Sequence, residues 1–334
     1  MLDSYIQQFI TDHHIPGLAL AIQRGDTVIH EGYYGLANLE HQVAVTTDSV
    51  FEIASVSKLF TAQAVLRLAQ EGQLALADTV AGYVEGLPEA WHTVTIQHCL
   101  THQSGIPNYT AQDRYWALQR VSKSPAEVLD LVRDLPMNFP PGQRHSYDNT
   151  GYYLLGMVIE SVTKQPYADY LRDLIFTPLG MTATRGNDYD AIVPHRAQGY
   201  SYVEGQLINK HFYDISNTFS AGVLLSTVRD LLTWRKSWFD SSILNADYRK
   251  RWWTPHLSAE ANEKAYHYTV GLGWFMVEST LGTFLGHNGG IQGFSASLLY
   301  LPETQTMGVA LYNRNDVDNP HQLLLDLITK LQAD

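Results

Sequence analysis

Ser55-Val56-Ser57-Lys58 begins the stretch whose reading decides this chain. Downstream, Leu59, Ala62, Leu66 and Ala69 recur at helical spacing, which predicts an amphipathic helix running to about Gln70 with Gly72 as its stop. Ser55 then falls in the first turn, where backbone N–H groups have no intrahelical partner. Residues three apart share a helix face, so the Ser55 hydroxyl and the Lys58 amine can meet. A serine hydroxyl is a weak nucleophile until a base takes its proton. A lysine becomes that base when burial or the positive end of a helix lowers its pKa. The same four residues would also describe a capping serine followed by a surface lysine, so the motif needs company.

The company lies far along the chain, at Tyr147-Asp148-Asn149 and at Gly286-His287-Asn288-Gly289-Gly290 just before an apolar strand. With these, the chain resembles the class C β-lactamase and penicillin-binding-protein superfamily of serine hydrolases, which includes DD-peptidases, D-aminopeptidases and family VIII carboxylesterases. The family order is Ser-x-x-Lys, Tyr-x-Asn, then Lys/His/Trp-x-Gly; the related class A set carries Ser-Asp-Asn and Lys-Thr-Gly. Ile15–Ile22 is similar to the family's opening strand, and Leu100–Pro107 to its Leu-Thr-His-x-Ser-Gly turn. Phe176–Met181, Ser220-Ala221-Gly222 and Gly271–Trp274 extend the likeness over nearly the whole chain.

The resemblance implies roles. Ser55 is the nucleophile and Lys58 activates it, while Tyr147 shuttles the proton and protonates the leaving group. Which of Lys58 and Tyr147 takes the first proton stays open, because they form a coupled system. Asn149 orients Lys58 or receives the substrate amide. The oxyanion hole is the backbone N–H of Ser55 with that of Gly290, and the Gly289-Gly290 doublet suits a close approach of backbone to substrate. His287 and Asn288 stand where true β-lactamases usually carry lysine and a hydroxyl residue. A histidine is only partly charged at pH 7, and Asp148 adds a negative charge near the site. The expected substrate is therefore a neutral ester, amide or peptide. The alternatives are a β-lactamase or DD-carboxypeptidase, and an inert binding or sensor protein on the same fold.

Composition bounds the rest. A chain of 334 residues, 45% hydrophobic, can bury a substantial core. A net charge of −12 argues against nucleic acid as a partner. No apolar run is long enough for a membrane-spanning helix. Met1–Ile6 lacks the features of a signal peptide, which points to a cytoplasmic protein or a trimmed one. The single cysteine, Cys99, excludes an internal disulfide and reads as a buried structural thiol. No cofactor or metal is expected: the 14 histidines contain no His-Glu-x-x-His, and His98-Cys99…His102 overlaps the family turn. An α/β-hydrolase is disfavoured by the lack of a Gly-x-Ser-x-Gly elbow.

The predicted fold is α+β and β-lactamase/transpeptidase-like. Strand signals at both ends (18–22, 27–33, 273–278, 283–287, 295–301 and 306–312) build an antiparallel sheet flanked by the terminal helices 2–14 and 320–331. Residues 1–72 and 262–334 form the sheet domain, and 73–261 an inserted, mainly helical domain, with the active site between them. Helices are expected over 151–162, over 166–174, and from the caps Ser124-Pro125-Ala126-Glu127 and Thr227…Asp230. The substrate walls are expected in 109–116, 200–217 and 252–267, with Tyr109, Tyr115, Trp116, Tyr202, Phe212, Tyr213, Trp252 and Trp253 as candidate lining.

Overall fold

The computed structural model describes residues 2–257 and 268–333. The proposed domain boundary at 261/262 and part of the 252–267 wall fall outside them. The sheet has eight strands, β1 Gly17–Arg24, β2 Thr27–Asn38, β3 Val43–Ala44, β4 Tyr268–Val270, β5 Phe275–Ser279, β6 Gly282–Ile291, β7 Phe294–Leu301 and β8 Thr306–Tyr312. They lie in the order β3-β2-β1-β8-β7-β6-β5-β4, each antiparallel to its neighbours. Both chain ends therefore build one sheet, with β1 beside β8.

The central strands are buried on both faces, so they read as continuous apolar runs rather than as an alternation. Leu18, Leu20 and Ile22 of β1, with Ala310 and Tyr312 of β8, pack with the terminal helices α1 (Leu2–Asp12) and α5 (Gln322–Ala333). Ala19, Ala21, Val309 and Leu311 face the opposite core, which holds α2 (Ser57–Gln70), α3 (Asn149–Thr163) and α4 (Val228–Phe239). Each buried Leu or Ile there stabilises the fold by about 1.5–3 kcal/mol.

Helix α2 ends where its sequence predicts, with Gly72 at φ +72°. It is not amphipathic: every residue from Ser57 to Leu66 is buried. The polar Gln63 is accommodated by Ser237 and Trp234 Nε1. Both expected caps are present. Ser124 and Glu127 cap each other across Pro125–Leu129, and Thr227 accepts from the Asp230 N–H at the start of α4. The helix expected over 166–174 instead runs as Tyr167–Leu171, a π turn at Arg172–Phe176 and a last turn at Thr177–Leu179. Pro178, having no N–H to donate, weakens the regular ladder there.

The middle of the chain also holds strands that its sequence conceals. Arg185–Gly186 and Phe51–Glu52 pair with Leu224–Ser226, and Tyr200–Val203 pairs with Gln206–Asn209. At two to four residues these are too short to display an alternating pattern. The pairing of Phe51–Glu52 with Leu224–Ser226 matters most, because it ties the approach to Ser55 to the segment just after Ala221.

Candidate active site

Ser55 lies in a 3-10 turn, Ala54–Val56, directly before α2 rather than in its first turn. The preceding Ala54 has φ +46°, a left-handed conformation that costs an alanine about 1–2 kcal/mol. The bend leaves the Ser55 N–H outside the helical ladder. Lys58 Nζ stands 2.9 Å from Ser55 Oγ and donates to the Ala221 carbonyl at 2.7 Å. It is fully buried, with the rings of Tyr147 and Tyr152 at 5.0 and 5.5 Å. Burial holds the amine well below its usual pKa of 10.5, and the Asp148 charge opposes that only in part. Ala221 is the partner that sequence reasoning missed. Ser220-Ala221-Gly222 is a family segment, but its chemistry resides in a backbone carbonyl, which no residue type announces.

Tyr147 lies just before Asp148, the cap of α3, and donates its hydroxyl to Ser55 Oγ at 2.9 Å. Burial of the hydroxyl raises its pKa, and the bond to Ser55 opposes the rise. The residue as a whole is 36% exposed, because its ring also faces the cleft, so solvent tempers the rise. His102 supports it from behind. That ring is buried, sits 4.5 Å from the Tyr147 ring and accepts the Asp148 N–H at 3.1 Å through Nδ1. The Leu100–Pro107 turn therefore holds the motif that carries Tyr147.

Asp148 departs from expectation. It is buried and caps α3, accepting the N–H groups of Thr150 and Gly151 at 2.7 and 3.0 Å and the Ser104 hydroxyl at 2.7 Å. Burial still raises its pKa from 3.8 to about 6. It is a helix cap, not a charge presented to substrate. Asn149 also differs: its Nδ2 donates to Thr110 Oγ1 at 2.9 Å rather than meeting Lys58. Its side chain lines both cavities beside Ser55.

The strand side is set by β6. Among the described residues, strand β5 pairs with it only as far as Gly286, which leaves the edge of His287–Ile291 open on the Ser55 side. The two-residue turn after Ile291 makes Ile291 and Phe294 a hydrogen-bonded pair. Alternation then makes Gly290 and Ser295 a non-hydrogen-bonded pair, so the Gly290 N–H points out of the open edge. Gly289 lets the strand come this close: a Cβ there would lie 2.3 Å from the Ile53 carbonyl and 3.1 Å from Ser55 N. A Cβ at Gly290 would meet nothing within 4 Å. His287 is buried at 1% exposure, with Nδ1 bonded to its neighbour's carbonyl, Asn288 O, at 2.6 Å. Burial, with Lys58 nearby, lowers its pKa to about 3, so the ring is neutral at pH 7 rather than partly charged.

Of the predicted aromatic lining, Tyr109, Tyr115, Trp116 and Tyr213 do stand beside Ser55. Tyr202 stacks on His14 instead, Phe212 lines a separate cavity, and Trp252 and Trp253 join a tryptophan cluster with Trp238. Cys99 is buried with its thiol pKa raised, as a structural cysteine should be. His98 completes a capping box with Thr95.

A family model described as Beta-lactamase matches residues 2–333. The chain belongs to the beta-lactamase family. This family is the serine hydrolase superfamily of β-lactamase and penicillin-binding-protein type. Penicillin-binding protein 4* of Bacillus subtilis is 27% identical over 94% of this chain and 71% of its own length. Protein flp of Staphylococcus aureus (strain N315) is 30% identical over 94% of this chain, which spans only 63% of that longer protein. Among solved structures, the octameric penicillin-binding protein homologue from Pyrococcus abyssi superposes with a TM-score of 0.86 at 27% identity, covering 100% of this chain and 77% of that one. The D-amino acid amidase from Ochrobactrum anthropi SV3 gives 0.84 at 24% identity, covering 99% and 100%, a likeness of fold. Among the described residues, no helix of this beta-lactamase family member is long and apolar enough to cross a membrane.

Proposed function

We propose that this protein hydrolyses esters or amides through an acyl-enzyme on Ser55. The observation that carries the reading is the convergence of Lys58 Nζ and Tyr147 OH on Ser55 Oγ, each at 2.9 Å. With Lys58 neutral, one directional chain runs through the site. Tyr147 O–H donates to Ser55 Oγ, Ser55 O–H to Lys58 Nζ, and Lys58 N–H to Ala221 O. Attack on a carbonyl passes the serine proton to Lys58. The oxyanion forms between the N–H groups of Ser55 and Gly290, where charge stabilisation is most effective. Tyr147 then protonates the departing oxygen or nitrogen and is reprotonated from Lys58. Water repeats the sequence in reverse to release the acid. The raised pKa of Tyr147 keeps its hydroxyl protonated, which leaves the first proton to Lys58. Ser55 and β6 come from the two chain ends, while Tyr147, Asn149 and Ala221 come from the middle, which supports a site between a sheet domain and an inserted domain.

The charge pattern favours esters, amides and peptides over β-lactams. Neutral His287 supplies no cation for a carboxylate. Among the described residues, the cavity beside Tyr147 and Asn288 is lined by one carboxylate, Asp316, and by no lysine or arginine. The test is a panel of p-nitrophenyl esters, D-aminoacyl amides and a chromogenic cephalosporin, run with a fluorophosphonate. The probe should label Ser55, Ser55→Ala should abolish turnover with the fold intact, and the best ester or amide should exceed the cephalosporin in kcat/KM by at least about tenfold. Label on another residue, or full activity in Ser55→Ala, would sink the reading. A cephalosporin turned over fastest would restore the β-lactamase alternative, and no reaction with any probe would favour an inert binding protein.

A further inference from the structure

We propose that the two chambers beside Ser55 sort a substrate's halves by size, admitting a small acyl group and a large leaving group. The inference rests on the acyl-enzyme reading above. One chamber holds about 180 Å³ and is walled by Tyr109, Tyr115, Trp116, Tyr213 and Ile291. The other holds about 620 Å³ and is walled by Tyr147, Tyr268, Phe275, Asn288 and Asp316. Ser55, Asn149 and Gly290 border both.

Proton transfer decides which half goes where. When Ser55 Oγ bonds to the carbonyl carbon, its proton goes to Lys58. When the carbon–oxygen or carbon–nitrogen bond then breaks, its electron pair leaves with the heteroatom, which takes a proton from Tyr147. The leaving group must therefore begin on the Tyr147 side, and Tyr147 borders only the large chamber. The other substituent on the carbonyl carbon faces the small one.

The walls of the small chamber are stiff. Tyr109, Tyr115 and Tyr213 are 0%, 1% and 4% exposed. The hydroxyls of Tyr115 and Tyr213 bond to each other, and Tyr109 packs edge-on against Tyr115 and Tyr153 at 5.1 and 5.7 Å. A close-packed wall of this kind does not yield a methylene at a time without strain. A chamber of about 180 Å³ takes an acetyl or butyryl group, whereas a nonanoyl chain must run out past Trp116. Trp116 is the most exposed wall, at 46%, held by a bond from Nε1 to the Thr110 carbonyl at 2.9 Å and by edge-on packing against Tyr115 at 5.2 Å.

Octyl acetate and methyl nonanoate are isomers, so they differ in where the chain lies and hardly in hydrophobicity. Octyl acetate should be favoured in kcat/KM by at least about 30-fold. Trp116→Ala should shrink that ratio several-fold by raising methyl nonanoate relative to octyl acetate. A wild-type ratio near one, or one favouring methyl nonanoate, would overturn the proposal without recourse to any variant. Failure to hydrolyse either isomer or p-nitrophenyl acetate, with no fluorophosphonate label on Ser55, would instead remove the acyl-enzyme reading and this inference with it.

Discussion

On one side of Ser55 stand Lys58 and Tyr147, side chains that move protons. On the other runs the backbone of Gly289 and Gly290, where the useful group is an N–H. The first side depends on what burial does to two pKa values. The second depends on how closely a strand edge approaches a turn. The two should fail in different ways. A variant on the proton side should keep its geometry and lose its pH dependence. A variant on the strand side should keep its pH dependence and lose rate at every pH.

The largest effects belong to the proton side. Lys58→Ala and Tyr147→Phe should each slow Ser55 acylation by about 10²–10⁴, the range for lost general acid–base catalysis. The double variant should be little worse than either single one, because the groups act as a unit. In the wild type the acylation rate should rise with pH as Lys58 loses its proton. It should level off well below pH 10.5, because burial depresses the folded-state pKa. The Lys58→Ala profile should lack that rise. Stopped-flow acylation across pH tests both points; near-wild-type rates in either single variant would remove that residue from the mechanism.

The two glycines provide a sharper internal comparison. A methyl at Gly289 would press on the Ile53 carbonyl and on Ser55 N, both backbone atoms that cannot swing away. Gly289→Ala must push the strand from the turn, and a misplacement near 1 Å costs about 10²-fold. Gly290→Ala points its methyl into open space and keeps its N–H. It should stay within about threefold of wild type, because one oxyanion donor is worth about 10²–10³ and none is lost. Equal losses in the two variants, measured by fluorophosphonate acylation with circular dichroism to confirm folding, would show that close approach is not what Gly289 provides.

The same contrast separates what is legible in the amino-acid sequence from what is not. Ser55 and Lys58 are three residues apart on one segment, so local periodicity alone brings them together. Tyr147, Asn149 and the glycine pair are legible only through motif order, since nothing local says that residue 147 meets residue 55. The sheet from both chain ends is legible because its central strands are long and apolar, while its short edge strands at 43–44 and 268–270 are not. The strands at 185–186, 200–209 and 224–226 are not, because two to four residues carry no period. Ala221 is invisible as a lysine partner because it acts through its carbonyl. Asp148 and His287 are legible as members of their motifs, but their charges are not. Those follow from burial, and burial of a single residue is a tertiary property that its neighbours along the chain do not report.

Asp148 gives the smallest expected effect, and one on stability rather than rate. Its folded pKa of about 6 lies above the ordinary 3.8, so between those pH values the folded chain holds a proton that the unfolded chain has released. The slope of unfolding free energy with pH is then negative for this group: its contribution to stability is full below about pH 4 and is lost as pH rises through 6. At 1.36 kcal/mol per unit, a rise of about two units is worth about 3 kcal/mol, an upper figure for so hydrogen-bonded a carboxylate. Asp148→Asn keeps one carbonyl oxygen for the α3 cap and cannot ionise. It should lose a constant amount from the missing bonds, yet its stability relative to wild type should improve as pH is raised from 4 to 7. Urea unfolding of both proteins at several pH values measures that difference. A gap that stayed flat, or widened against the variant as pH rose, would mean that the donors around Asp148 outweigh its burial and that the carboxylate is as comfortable ionised in the fold as in water.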